Sequence, residues 1–82
     1  ADTLLTMDGI EASFVVSLRD ENLVSISARS LGKVNVQLIM EEMDGGGHLT
    51  NAATQMEGAT VEEAVARLKQ VIDKYEEGGN GR

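Results

Sequence analysis

Eighty-two residues suffice for one domain with a thin two-layer core, since so short a chain buries only about 60–65% of the surface it exposes when unfolded. Fourteen acidic against seven basic residues give a net charge of −7; with Phe14 and Tyr75 as the only aromatics, this excludes broad salt-driven nucleic-acid binding and a base-stacking platform. The chain has no cysteine, hence no disulfide or thiolate metal site, and no apolar run near the ~20 residues of a membrane span, so a cytosolic setting fits.

In chain order, Ala1–Met7 (ADTLLTM) reads as the last turns of a helix, with Leu4, Leu5 and Met7 apolar and Gly9 placed to terminate it. Residues 11–19 then alternate, with Ala12, Phe14, Val16 and Leu18 on one face and Glu11, Ser13, Ser17 and Arg19 on the other, which predicts a half-buried strand. Asp20-Glu21-Asn22 supplies a turn. Val24, Ile26 and Ala28 alternate with Ser25, Ser27 and Arg29 to complete a β-hairpin.

Asn35 can cap the next helix, with Val34 and Ile39 as its hydrophobic staple. Val36, Ile39, Met40 and Met43 recur at helical spacing, and Asp44 and three glycines stop the run. A third strand is expected over 53–57 (ATQME), ended by Gly58. Thr60 and Glu63 form a capping box for a final helix with an apolar stripe of Val61, Ala64, Val65, Leu68, Ile72 and Tyr75. Gly78 and Gly79 close it, and the tail over 78–82 is expected to be disordered. The fold class is α+β: a small mixed sheet, hairpin plus third strand, packed by helices in the order α-β-β-α-β-α.

An anionic ligand on so acidic a chain must be held by a few oriented donors. Gly45, Gly46 and Gly47 let the backbone approach a ligand closely, and successive N–H groups there can form an anion nest with His48 as a side-chain donor beside it. From spacing alone, a flexible linker after a helix reads equally well. Arg29, at the end of a strand with Ser25 and Ser27 on the same face, can grip phosphate bidentately, although an exposed strand arginine is more often just solvated. Asn51 can donate and accept toward a base edge, or serve only as a turn residue. A two-metal hydrolytic centre needs several carboxylates and imidazoles in one pocket. With one histidine and its acids spread over helix exteriors and ends, the chain should hold no metal, bind no cofactor and contribute no catalytic residue by itself. Met40 and Met43 read as core.

The series Ser27-Ala28-Arg29-Ser30, Val34-Asn35-Val36, Gly45-Gly46-Gly47-His48 and Asn51-Ala52-Ala53 resembles the DHH-associated C-terminal domain of DHH phosphoesterases, over residues 1–77. Within that superfamily, His48-Leu49-Thr50-Asn51-Ala52-Ala53-Thr54-Gln55 is most similar to the membrane-anchored cyclic-di-AMP phosphodiesterases. The resemblance implies a substrate-binding lobe of a longer, metal-dependent hydrolase, in which Arg29, Gly45, Gly46, Gly47 and His48 hold a phosphate, Asn51 faces a base or ribose, and Ser27 and Ser30 complete the site. It also implies two manganese ions in a separate DHH domain of the same chain, a cyclic or linear dinucleotide as ligand, and a cytoplasmic position below a membrane anchor. Asp44 departs from the pattern, since many relatives carry a fourth glycine there. A phosphodiesterase of very short RNA would use the same loop. A regulatory or dimerisation domain without a nucleotide site is the other reading, and a homodimer of the full-length protein stays open. A tRNA-binding tail like that of alanyl-tRNA synthetases is disfavoured by the −7 charge.

Overall fold

The computed structural model describes residues 2–80, the side chains of 77–80 excepted; of the expected tail, 81–82 lie outside what is described. The expected helix stop at Gly78 and Gly79 is corrected, since the last helix, Val61–Asn80, runs through both, glycine lowering helix propensity by about 1 kcal/mol without removing a backbone donor. The elements are β1 (Asp2–Met7), β2 (Ala12–Asp20), β3 (Leu23–Ser30), α1 (Val36–Glu41), β4 (Gly46–His48), β5 (Asn51–Glu57) and α2 (Val61–Asn80). The strands form one five-stranded sheet in the order β1-β2-β3-β5-β4, and every pairing is antiparallel.

The α+β class holds, with one element corrected and one strand, β4, added. Residues 2–7 are not a helix end but an edge strand on β2, with Leu5 opposite Phe14 and Met7 opposite Ala12. Leu5 and the buried Met7 join the core, whereas Leu4 is 64% exposed on the other side. The adjacent leucines hid this period of two. The turn that follows has Asp8 at φ 51° and Gly9 at φ 71°, so the Asp-Gly pair is a hairpin connection rather than a helix stop.

One face of the sheet is apolar because the alternation of β2, β3 and β5 sends Phe14, Val16, Val24, Ile26, Ala28 and Ala52 inward. Both helices cover this face. α1 contributes Val36, Ile39 and Met40, followed by Met43, while α2 contributes Ala64, Leu68, Val71 and Ile72, all buried. Phe14 is fully buried, and truncating such a ring to alanine typically costs about 3–5 kcal/mol. Thr54 is a buried polar side chain in this layer, and its hydroxyl donates to the Met43 carbonyl at 2.7 Å.

The caps follow the sequence signals. The Asn35 side chain accepts from the Leu38 N–H at 3.3 Å. Thr60 and Glu63 exchange reciprocal bonds of 2.9 and 3.0 Å. Past α1, the Asp44 N–H donates to the Glu41 carbonyl and the Gly45 N–H to the Met40 carbonyl, with Asp44 itself at φ 65°. This pair of bonds is a Schellman closure. It places Asp44 at the left-handed position that glycine fills at least cost.

The opposite face of the sheet carries no helix among the described residues. It presents Ser13, Val15, Ser17, Ser25, Ser27, Arg29, Asn51, Ala53 and Gln55, by the same alternation.

Candidate functional site

The register brings the separate candidates into a single rung. Arg29 on β3 lies opposite Asn51 on β5, and Asn51 lies opposite His48 on β4. Directly opposed residues of antiparallel strands stand about 4.5–5.5 Å apart at Cα, so guanidinium, carboxamide and imidazole emerge side by side on the open face, and all three residues are exposed. Ser13 on β2 extends the rung on the other side of Arg29. Ser27 lies on the same face one row along, opposite Ala53.

The strands end together at this rung because the β4–β5 turn, Leu49-Thr50, is tied down on both sides. The Thr50 carbonyl accepts from the Ser30 N–H at 2.9 Å, and the Leu49 carbonyl accepts from the Val36 N–H at 3.0 Å. The Ser30 side chain serves the neighbouring loop. Its hydroxyl donates to Glu11 Oε2 at 3.4 Å and accepts from the Gly32 N–H at 2.9 Å.

The glycine tract differs from the expected nest. Gly46–His48 is an edge strand on β5. In an antiparallel ladder the N–H groups point alternately toward and away from the partner, so consecutive amides cannot converge on one anion. Two of the glycines are required by packing. A Cβ on Gly45 would lie 2.3 Å from the Ala53 carbonyl oxygen and 2.4 Å from Thr54 Cβ. At Gly47, where φ is +144°, it would lie 2.5 Å from Ala52 Cα. Gly46 faces open space, with nothing within 4 Å of its virtual Cβ. The tract thus brings β4 close against β5, and Gly46 is the member whose small size the fold itself does not demand.

Beside the rung is an open depression of about 350 Å³. Ser13, Arg29, Ser30 and Asn51 form its sheet side, and Ile10, Glu11 and Leu31 come from the adjoining loops. The glycines and His48 do not line it; His48 reaches it only through its neighbour Asn51. Among the described residues the Arg29 guanidinium makes no ion pair. A larger hollow of about 550 Å³ at the far end of the sheet is lined by Asp20, Glu21 and Glu57, whose charge repels an anion. The smaller one, with the free guanidinium, is the better candidate.

Sequence reasoning missed Ile10, Glu11, Ser13 and Leu31. Ser13 was legible as the outward residue of β2, but only the pairing Ser13–Arg29 gives it a neighbour of interest. The loop residues carry no such signal. The manganese pair implied by the resemblance finds no ligand set in this part of the molecule: among the described residues no three His, Cys, Asp or Glu side chains converge. Nor is any helix of the described residues long and apolar enough to cross a membrane.

Comparison with known proteins fits this architecture. The chain is 66% identical over 79 residues to the cyclic-di-AMP phosphodiesterase GdpP of Bacillus subtilis (strain 168), covering 96% of this chain and 12% of that protein. It is 56% identical over 78 residues to the cyclic-di-AMP phosphodiesterase PdeA of Listeria monocytogenes serotype 1/2a (strain 10403S), covering 95% of the chain and 12% of the relative. A membrane protein–large ribosomal subunit bL9 fusion protein of Aster yellows witches'-broom phytoplasma (strain AYWB) is 42% identical over 79 residues, covering 95% of this chain and 9% of its own length. The chain therefore spans roughly an eighth or less of these relatives. The DHHA1 domain family matches residues 1–75, which is nearly all of the described sheet and helices, and the chain belongs to that family.

Proposed function

We propose that this domain is the substrate-holding lobe of a phosphodiesterase that opens cyclic-di-AMP to the linear dinucleotide, with the metals and attacking water supplied by a separate DHH domain of a membrane-anchored parent. The observation that carries the reading is the rung Arg29–Asn51–His48, where a guanidinium with no ion-pair partner among the described residues, a carboxamide and an imidazole stand side by side. A phosphate laid along the rung takes charge-assisted bonds from Arg29 and a further donor from His48, while Asn51 between them faces the sugar or base. The unhindered Gly46 lets the ligand approach the sheet edge closely. The names of the GdpP and PdeA relatives support the substrate.

The rest of the chain is acidic, so holding the anion is a matter of these few donors. Binding by this lobe alone is expected to be weak, because half of a cleft neither excludes water nor fixes both ends of the ligand. Amide-shift mapping with cyclic-di-AMP and linear diadenylate tests the reading. Shifts should centre on Arg29, Gly46, His48 and Asn51, and Arg29→Ala should weaken binding by about 10- to 100-fold, the loss of a hydrogen-bonded charge on the ligand. A silent rung at millimolar nucleotide would overturn it in favour of a regulatory or dimerisation module.

A further inference from the structure

The depression beside Arg29 extends past anything a phosphate needs. Its volume, about 350 Å³, is near the lower end of the roughly 300–1,000 Å³ of small-molecule sites, room for one nucleotide unit rather than two. Its far side combines two kinds of group. Ile10 is 80% exposed and Leu31 73% exposed, and the Leu31 N–H donates to the Glu11 carbonyl at 2.8 Å, which fastens their two loops side by side. Glu11 and the outward-facing Ser13 of β2 line the same depression.

Glu11 is fixed in place. Its Oε2 accepts from the Lys33 N–H and from the Ser30 hydroxyl. A carboxylate has about four acceptor sites, so it retains capacity toward the depression. An anion is unfavourable against that carboxylate, which keeps a phosphate on the Arg29–His48 side. A neutral, flat group with apolar faces and donors on its edge suits the remaining space.

We infer that Ile10, Glu11, Ser13 and Leu31 form a nucleoside subsite, in which one base lies against the two aliphatic side chains and presents an exocyclic amino group to the Glu11 carboxylate. This rests on the phosphate-binding reading of the rung and extends it: the subsite favours adenine over hypoxanthine, whose six-position oxygen would face a carboxylate with no proton to offer. Ser13 donates its hydroxyl to a ring nitrogen or the ribose.

Titration of the chain with AMP, IMP and inorganic phosphate, followed by amide shifts, separates the two levels. AMP should shift Ile10, Glu11, Ser13 and Leu31 together with Arg29, His48 and Asn51; phosphate should shift only the latter three. AMP should bind about tenfold more tightly than IMP, the ratio expected for one charge-assisted hydrogen bond. Because Ile10 and Leu31 are on the surface, Ile10→Ser and Leu31→Ser should fold normally and lower the AMP-to-phosphate affinity ratio severalfold. If AMP shifts only the residues that phosphate shifts, or if the ratio is unchanged in both variants, the subsite is refuted while the rung stands. Equal affinity for AMP and IMP removes Glu11 from recognition. Failure of every ligand to move Arg29, His48 and Asn51 defeats the underlying reading as well.

Discussion

At the scale of single residues, the tract 44–48 divides by what each position must do. Asp44 sits at φ 65°, a conformation that costs a side-chain-bearing residue about 1 kcal/mol, at a helix C-terminus where a negative charge is also unfavourable. Asp44→Gly should therefore raise stability by about 0.5–1 kcal/mol, seen as a higher urea midpoint with an unchanged slope. An unchanged midpoint would mean that the unfolded-state entropy of the new glycine offsets the relief. Gly47→Ala forces a methyl to within 2.5 Å of Ala52 Cα and should cost more than about 2 kcal/mol. Gly46→Ala meets no atom within 4 Å and should leave stability within about 1 kcal/mol of the parent while weakening nucleotide binding. A Gly46→Ala variant with full affinity would show that no ligand comes close there.

These contrasts show what the sequence could and could not convey. That GGGH marks a special place was legible, because three glycines beside a lone histidine are costly in any regular element. Its geometry was not. A three-residue strand of two glycines and a histidine has little β-propensity to read, and the steric need for Gly45 and Gly47 arises from β5, which is joined to them only in three dimensions. Arg29, Asn51 and His48 were each visible, but their alignment depends on a register set by the Leu49-Thr50 turn.

At the scale of elements, alternation decided the outcome. The β2–β3 hairpin was readable because apolar and polar residues swap without a break. β1 was not, because Leu4 and Leu5 are adjacent and only one of them faces the core. The helices obeyed their N-terminal caps, Asn35 and Thr60–Glu63, whereas Gly78 and Gly79 did not end the last one. The two helices also meet through a polar contact that no pattern announces, since the Tyr75 hydroxyl of α2 accepts from the N–H of Asn35, the cap of α1, at 3.0 Å. Tyr75→Phe removes the acceptor from a half-buried donor and should cost about 1–2 kcal/mol. Chemical denaturation measures it, and a loss below about 0.3 kcal/mol would show that water replaces the hydroxyl there.

At the scale of the whole molecule, charge is the leading property. With a net −7 and, among the described residues, a surface ion pair only between Lys74 and Glu42, both exposed, self-repulsion should outweigh local pairing. Raising ionic strength from about 0.01 to 0.15 M shortens the screening length from about 30 to 8 Å, so the melting temperature should rise by a few degrees. A fall on adding salt would show that attractive pairs dominate instead. The same repulsion works against any incoming phosphate, so on the proposed reading the attraction for a phosphate must come from the few donors of the rung.

The Leu49-Thr50 turn joins these scales. Its two carbonyls are held by amides from different parts of the chain, Val36 at the start of α1 and Ser30 at the end of β3, so the hairpin tip cannot swing without breaking both. The backbone positions of Arg29, Asn51 and His48 are thereby set during folding, and an arriving ligand has only side-chain rotamers left to freeze. An acidic surface can tolerate so sparse a set of donors because little of their attraction is spent on arranging the scaffold beneath them.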